Sequence, residues 1–203
     1  MATVCTTTID LLRHGACEGG EIFRGSTDVL LSEAGWQQMR SAVAGESGWQ
    51  RIFSSPLQRC RLFAARLAEE RELPLHLVDD LRELHFGHWE GRRLVDIERE
   101  QGELLQRFWQ DPMQVTPPGG ETLSSFQLRV VAAMRQIVAD SAGQHILLIA
   151  HGAVIRMLLC EWLQMAMTAF SNIAVPYAGF SRIRIFEREG SPPWVQLCLH
   201  RGE

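Results

Sequence analysis

The sequence predicts an α/β fold, a three-layer α/β/α sandwich around a mostly parallel sheet with an antiparallel edge. Three observations carry it. Two short apolar runs, residues 8–12 and 145–150, each stop at a His-Gly pair, as buried strands ending in loops do. Helical periodicities lie between them and after them, the alternation that builds parallel sheets. Near the end, Arg182-Ile183-Arg184-Ile185-Phe186 alternates apolar with polar, which marks an antiparallel edge strand, and residues 194–199 supply another.

In chain order, Thr8-Ile9-Asp10-Leu11-Leu12 runs into Arg13-His14-Gly15. Ser32 and Glu33, followed by Trp36, Met39 and Val43, predict a capped amphipathic helix. Arg51-Ile52-Phe53 is a short strand, after which Ser54-Ser55-Pro56 offers an N-cap serine and a proline at the first helical position. That helix continues through Leu57, Leu62, Phe63, Arg66 and Leu67. Leu94, Ile97, Leu104, Leu105 and Phe108 mark the next one. Beyond the turn Pro117-Pro118-Gly119-Gly120, Thr122 caps a helix carrying Phe126, Val130, Ala133, Met134 and Ile137. Val154, Ile155, Leu158, Leu159 and Trp162 form the last. Ligands of such sheets bind beyond the carboxyl ends of the strands, so His14 and His151 belong on one functional edge.

Composition narrows the chemistry. The 203 residues, 46% hydrophobic and 22% charged, fit one domain spanning 1–203. All 20 basic residues counted as Lys+Arg are arginine. Schiff-base and pyridoxal catalysis and the lysine-bearing phosphate loop are thereby excluded. A net charge of −4 provides no global field for nucleic acid or an anionic membrane, so any anion site must be a local arginine pocket. Cys5, Cys17, Cys60, Cys160 and Cys198 are odd in number and scattered, which argues against a disulfide framework and a zinc site and for a reducing, cytoplasmic setting. Residues 1–8 carry no basic residue and no long apolar stretch, so no signal peptide is expected. Residues 153–167 are apolar but interrupted by Arg156 and Glu161, and too short to span a bilayer.

Four motifs occur in order. They are Arg13-His14-Gly15 after the first strand, Ser54-Ser55-Pro56-Leu57-Gln58-Arg59 at a helix start, Leu81-Arg82-Glu83 ahead of Phe86-Gly87-His88-Trp89-Glu90-Gly91, and His151-Gly152 after a late strand. Together they resemble the histidine phosphatase superfamily, also called phosphoglycerate mutase-like, over nearly the whole chain. The resemblance implies that His14 is the nucleophile that becomes phosphorylated, that Arg13 and Arg59 grip the phosphoryl oxygens, and that His151 acts as a cation or donor to the transferring group. It also implies that Glu83 protonates the leaving alcohol and later activates water. Elementary chemistry is consistent with this. A neutral imidazole held at one nitrogen is nucleophilic at the other, and guanidinium forks suit phosphoryl oxygens. A helix N-terminus at Ser55 would favour an anion beside Arg59. Gly152 permits close approach, and the Ala153 amide is a further donor to the substrate.

Each position has a plainer reading. Glu90 competes with Glu83 for the acid. Arg24 either touches substrate or pairs with a carboxylate. Arg82 and Arg129 read as salt-bridge formers, and His76, His145 and His200 as structural. His85 and His88 lack a third ligand for a metal. Residues 117–122 are a loop with a helix cap, or a rim over the pocket. Cys17 would need a base partner to act as a nucleophile.

Mutases of the family carry a long basic insert after the acid; here only the segment around residues 92–109 occupies that place, without a lysine. This favours hydrolysis. The chain is thus read as a cytoplasmic phosphomonoesterase of a small-molecule phosphate ester, needing no cofactor and no metal, with no nucleic-acid or membrane partner. Its oligomeric state is left open, a dimer being one option. Phe86-Gly87-His88-Trp89-Glu90-Gly91, the Pro-Gly-Gly-Glu-Thr segment and the compact length resemble the α-ribazole-5′-phosphate phosphatase branch, which serves cobalamin nucleotide-loop assembly. The alternatives are a broad-specificity or sugar-phosphate phosphatase, a phosphoglycerate mutase, and a non-catalytic binder of phosphorylated ligands. One departure stands out: Ala16-Cys17 replaces the polar pair usual after Arg-His-Gly, so a phosphate contact is expected to be missing.

Overall fold

The computed structural model describes residues 4–202; residues 1–3, which open the stretch read as lacking a signal peptide, and Glu203 lie outside the described residues. The strands are β1 (Val4–Arg13), β2 (Arg51–Ser54), β3 (Leu75–Leu77), β4 (His145–Ala150), β5 (Phe180–Arg188) and β6 (Trp194–Arg201). They form one sheet in the order β3-β2-β4-β1-β5-β6. The first three neighbouring pairs are parallel, and β1-β5 and β5-β6 are antiparallel. The expected sheet is therefore present with one correction: β5 is not an edge, because β6 pairs with its outer side.

Three layers follow from the pleat. Successive side chains of β1 point to opposite faces, and both faces are apolar. Ile9 and Leu11 join one buried cluster with Ile146 and Leu148, packed under α3 (Leu94–Gln110), α4 (Leu123–Asp140) and α5 (Gly152–Trp162). Leu12 joins the other with Leu147 and Ile149, packed under α1 (Glu33–Val43) and α2 (Gln58–Arg71). Asp10 is the exception in the run. It is fully buried and accepts hydrogen bonds from Arg182 Nε and Nη2, Trp49 Nε1 and His145 Nε2 at 2.7–2.9 Å. Burial alone would raise its pKa, but these donors, Arg182 first, hold the carboxyl below its ordinary value.

Helix starts show where local rules hold. Ser32 Oγ accepts the Gly35 amide at 3.1 Å and Thr122 Oγ1 the Ser125 amide at 3.1 Å, so α1 and α4 are capped as expected. The second helix departs from expectation. Ser55 and Pro56 precede it, Leu57 is its extended N-cap residue with no side-chain cap, and the carboxylate of remote Asp28 accepts the Gln58 amide at 2.7 Å. Ser55 Oγ accepts the Leu57 amide at 3.4 Å and has a second use besides. A kink at Gln101 in α3 coincides with its Oε1 accepting from Trp89 Nε1. No helix among the described residues is long and apolar enough to cross a membrane.

Candidate active site

Parallel pairing places Arg13 opposite Ala150, so the residues following β1 and β4 emerge side by side. His14 and His151 are both buried, with ring centroids 5.3 Å apart. Their tautomers follow from their neighbours. The carbonyl of Gly15 can only accept, so His14 Nδ1, 2.8 Å away, carries the proton and Nε2 keeps its lone pair. Arg59 Nε can only donate, so His151 Nδ1 at 3.3 Å is bare and Nε2–H donates to Ser55 Oγ at 2.7 Å. This is the second use of Ser55.

Burial, reinforced by the charges of Arg59 and Arg13, pushes the pKa of His14 well below its ordinary value. His151 is lowered in the same way by burial, Arg59 and His14. Both shifts favour the neutral imidazole, so of the two roles expected of His151, cation or donor, the free protein favours the donor. Neutrality is the condition a histidine nucleophile needs.

Arg13 and Arg24 contribute donors that no described residue uses. Arg13 spends Nη1 on Val175 O at 2.6 Å and lies over the ring of Tyr177 at 4.3 Å, while its buried Nε has no partner. Arg24 gives Nη2 to the carbonyls of Glu18 and Gly20 and also keeps a buried, unpartnered Nε. It pairs with carbonyls, not with a carboxylate as one reading had it. Both arginines and His14 line a pocket of about 410 Å³. A buried unpaired donor is costly unless a ligand meets it, so these two N–H groups point to an anion.

Arg59 sits one step back. It is fully buried, and besides His151 it donates to Thr27 O and Gly25 O, each at 2.8 Å. Loop 25–27 is in turn clamped by Glu90, whose carboxylate accepts the amides of Gly25, Ser26, Thr27 and Phe86 at 2.9–3.1 Å. Burial would raise the Glu90 pKa, yet the Thr27 hydroxyl and these amides outweigh it and keep the carboxyl below its ordinary value. Glu90 is thus committed to the clamp, and of the two carboxylates only Glu83 lines the pocket. Gly25 is obligatory here, since a Cβ would stand 2.0 Å from Leu84 O.

Glu83 is buried and lines the pocket. Its carboxylate accepts the Ala153 amide on both oxygens at 3.2 Å, so the amide expected to meet the substrate is here bonded to Glu83. Arg129 holds the backbone on either side, donating to the carbonyls of Asp80, Arg82 and Glu83 while paired with Glu121 at 2.8 Å. Arg82 pairs with Asp79. At Gly152 a Cβ would lie 3.5 Å from Arg13 Nε, over the unpartnered donor. Burial pushes the Cys17 thiol up; its Sγ rests 3.5 Å from His14 Nδ1, in the segment where a phosphate contact was expected to be missing.

The remaining histidines do structural work: His76 stacks on Phe53, His145 meets Asp10, and His200 bridges Ser181 and Ala174 O. Among the described residues no group of three or more His, Cys, Asp or Glu is placed to hold a metal. The loop at 117–120 packs on the Gly87 turn and leaves the pocket wall to Phe86. Sequence reasoning missed Tyr177, the chain's one tyrosine, along with Arg156 and the wall of Phe23, Phe86, Phe108 and Trp109. The single tyrosine was a signal; the aromatic residues are scattered along the chain and gave none.

The chain is similar to several known proteins. Residues 9–195 match the family model described as histidine phosphatase superfamily (branch 1). A bifunctional protein of Mycobacterium tuberculosis is 36% identical over 158 residues, 75% of this chain but 43% of that protein. The chain therefore spans less than half the length of the first curated relatives it matches. The adenosylcobalamin/alpha-ribazole phosphatase of Salmonella typhimurium is 28% identical over 181 residues, covering 87% of this chain and 90% of that one. Among solved structures, mycobacterial hydrolase 2 superposes with a TM-score of 0.85 at 25% identity, over 96% of this chain and 90% of the other.

Proposed function

Because the chain belongs to the histidine phosphatase superfamily (branch 1), we propose that it hydrolyses a phosphate monoester through a phosphohistidine at His14, with residues 1–203 acting as one catalytic domain. The observation that carries this is the fixed tautomer: Nδ1–H is held on Gly15 O, and the bare Nε2 belongs to a neutral ring in a pocket with two unused guanidinium N–H groups. Arg13 and Arg24 receive the non-bridging oxygens, and Arg59 adds charge from behind while orienting His151. The His14 Nε2–P bond forms as the P–O bond to the leaving group breaks, and the Glu83 carboxyl gives its proton to the departing oxygen. Water then attacks phosphorus, Glu83 takes back a proton, the N–P bond breaks and inorganic phosphate leaves. No step calls on a metal or a cofactor.

The substrate we favour is α-ribazole 5′-phosphate, supported by the likeness to the Salmonella enzyme over most of both chains and by the aromatic wall beside the phosphoryl site. A cytoplasmic setting fits the five free cysteines. The reaction is tested with p-nitrophenyl phosphate in EDTA, wild type against His14→Ala: turnover is expected to vanish in the variant, and undiminished turnover overturns the mechanism. The substrate is tested by comparing kcat/KM for α-ribazole 5′-phosphate, phosphoserine, 3-phosphoglycerate and nucleoside monophosphates. A value for the ribazole ester no higher than for the others removes that assignment and leaves the reaction standing.

A further inference from the structure

The catalytic pocket continues past its aromatic wall. Leu94 and Trp109 line both it and a second, open groove of about 930 Å³ between α3 and the 3-10 turn Met167–Asn172. The two hollows differ in chemistry. Beyond the phosphoryl end, the first offers the rings of Phe23, Phe86, Phe108 and Tyr177, so the part of a leaving group seated there is flat and apolar. The groove offers Glu98, Gln106, Gln110, Thr168, Ser171 and Asn172, a set of donors and acceptors with one carboxylate and no cation. That set repels a second phosphate or carboxylate and suits neutral hydroxyl groups.

Two details sharpen the match. Ser171 lines the same hollow, and its buried Oγ has no hydrogen-bond partner among the described residues. Trp109, at the junction, leaves 39% of its surface exposed while its ring stacks on Phe23 at 6.1 Å with an interplanar angle of 23°. An exposed indole face beside amide and hydroxyl side chains fits the apolar face of a sugar ring whose hydroxyls are bonded around its rim.

We propose that this groove is a leaving-group subsite for a neutral, hydroxyl-bearing, sugar-like group. The substrate then extends beyond α-ribazole 5′-phosphate, whose hydroxyls lie on the ribose next to the phosphate: it has its phosphoryl group at His14, a ring against Phe23 and Phe86, and a further hydroxylated end reached across Trp109. The proposal rests on the phosphomonoesterase reading above, and the experiment separates the two.

Wild-type enzyme is assayed in EDTA with phenyl phosphate and with 4-(β-D-glucopyranosyloxy)phenyl phosphate, which differ only by the distal sugar. The expected kcat/KM ratio favours the glucosyl ester by about tenfold, the size of one or two added hydrogen bonds. Ser171→Ala and Gln106→Ala should each pull the ratio toward one through KM for the glucosyl ester, whereas mere loosening of the fold would lower both esters alike. Equal efficiency in the wild type, or a ratio unmoved in the double variant, overturns the subsite and leaves the phosphatase reading intact. Failure to hydrolyse either ester overturns that reading, and the subsite with it.

Discussion

Both carboxylate oxygens of Glu83 accept the amide of Ala153, each at 3.2 Å. Glu83 follows the 3-10 turn Asp79–Leu81, and Ala153 is in the first turn of α5, two residues after His151. One bifurcated contact therefore ties the acid to the helix that carries the second histidine. The amide has no intrahelical partner, because it is among the first four of its helix. The free end of α5 thus serves as a bracket for the acid.

An acid in that place matters in proportion to how badly the leaving group needs a proton. Glu83→Gln keeps the shape and the Ala153 contact but has no proton to give. Turnover of an alkyl phosphate such as glycerol phosphate should fall by about 10²–10⁴, the usual worth of general acid catalysis. With p-nitrophenyl phosphate, whose leaving group departs as a stable phenolate, the loss should be at least tenfold smaller. Equal losses on the two substrates would show that Glu83 does not protonate the leaving oxygen.

The lowered pKa values of the two histidines have opposite consequences for activity and for stability. His14 stays neutral below its ordinary value of 6.5, so its nucleophilic form survives mild acidification. In the unfolded chain both rings titrate near 6.5, and the folded chain refuses those protons. The unfolded state then binds more protons, and stability declines as the pH falls below about 6.5. Ring ¹⁵N shifts of His14 and His151 should report neutral imidazole at pH 5.5 in the free enzyme. A protonation midpoint at or above 6.5 for His14 would contradict the picture of a nucleophile held ready by burial and arginine.

Glu90 reaches the chemistry through two intermediaries. It holds the amides of loop 25–27, the carbonyls of that loop hold Arg59, and Arg59 holds His151. In Glu90→Gln one oxygen of the clamp becomes an NH₂ group facing N–H donors. Each amide left unpaired costs about 1–3 kcal/mol. The expected result is a fold that still melts cooperatively, with kcat/KM lowered about 10–100-fold on p-nitrophenyl phosphate, in keeping with the cost of misplaced positioning groups. Wild-type kinetics in that variant would detach the clamp from catalysis.

How much of this was legible in the sequence depends on the range of the interaction. The sheet order around β1 and β4 follows from two apolar runs of strand length, and the caps at Ser32 and Thr122 from contacts three residues apart. The start of α2 was misplaced because its amide is met by Asp28, 30 residues earlier, a partner that no local rule supplies. The same distance hid the roles of Ala153 and Glu90, whose partners lie 70 and about 65 residues away. Phe23 and Trp109 lie 86 positions apart, and only their meeting across a cleft makes them a wall, which no local pattern announces. β3, with three residues, was too short to show a period.

Asp10 and Arg182 test the electrostatics of the sheet itself. The pair joins β1 to β5 through two hydrogen bonds of 2.7 and 2.8 Å, one partner fully buried and the other largely so. Asp10 is held below its ordinary pKa, so its contribution is present above the usual carboxylate range and is lost as the pH falls through its lowered folded value. Arg182→Met leaves a buried carboxylate with only Trp49 and His145, and should cost about 3 kcal/mol at neutral pH in urea denaturation. Adding Asp10→Asn removes the stranded charge while keeping an oxygen for Trp49, so the double variant should be more stable than Arg182→Met alone. Acidification from pH 7 toward 4 should also narrow the deficit of the single variant, as its Asp10 takes up a proton before the wild-type residue does. A double variant as unstable as the sum of the two singles would show that the two side chains act independently.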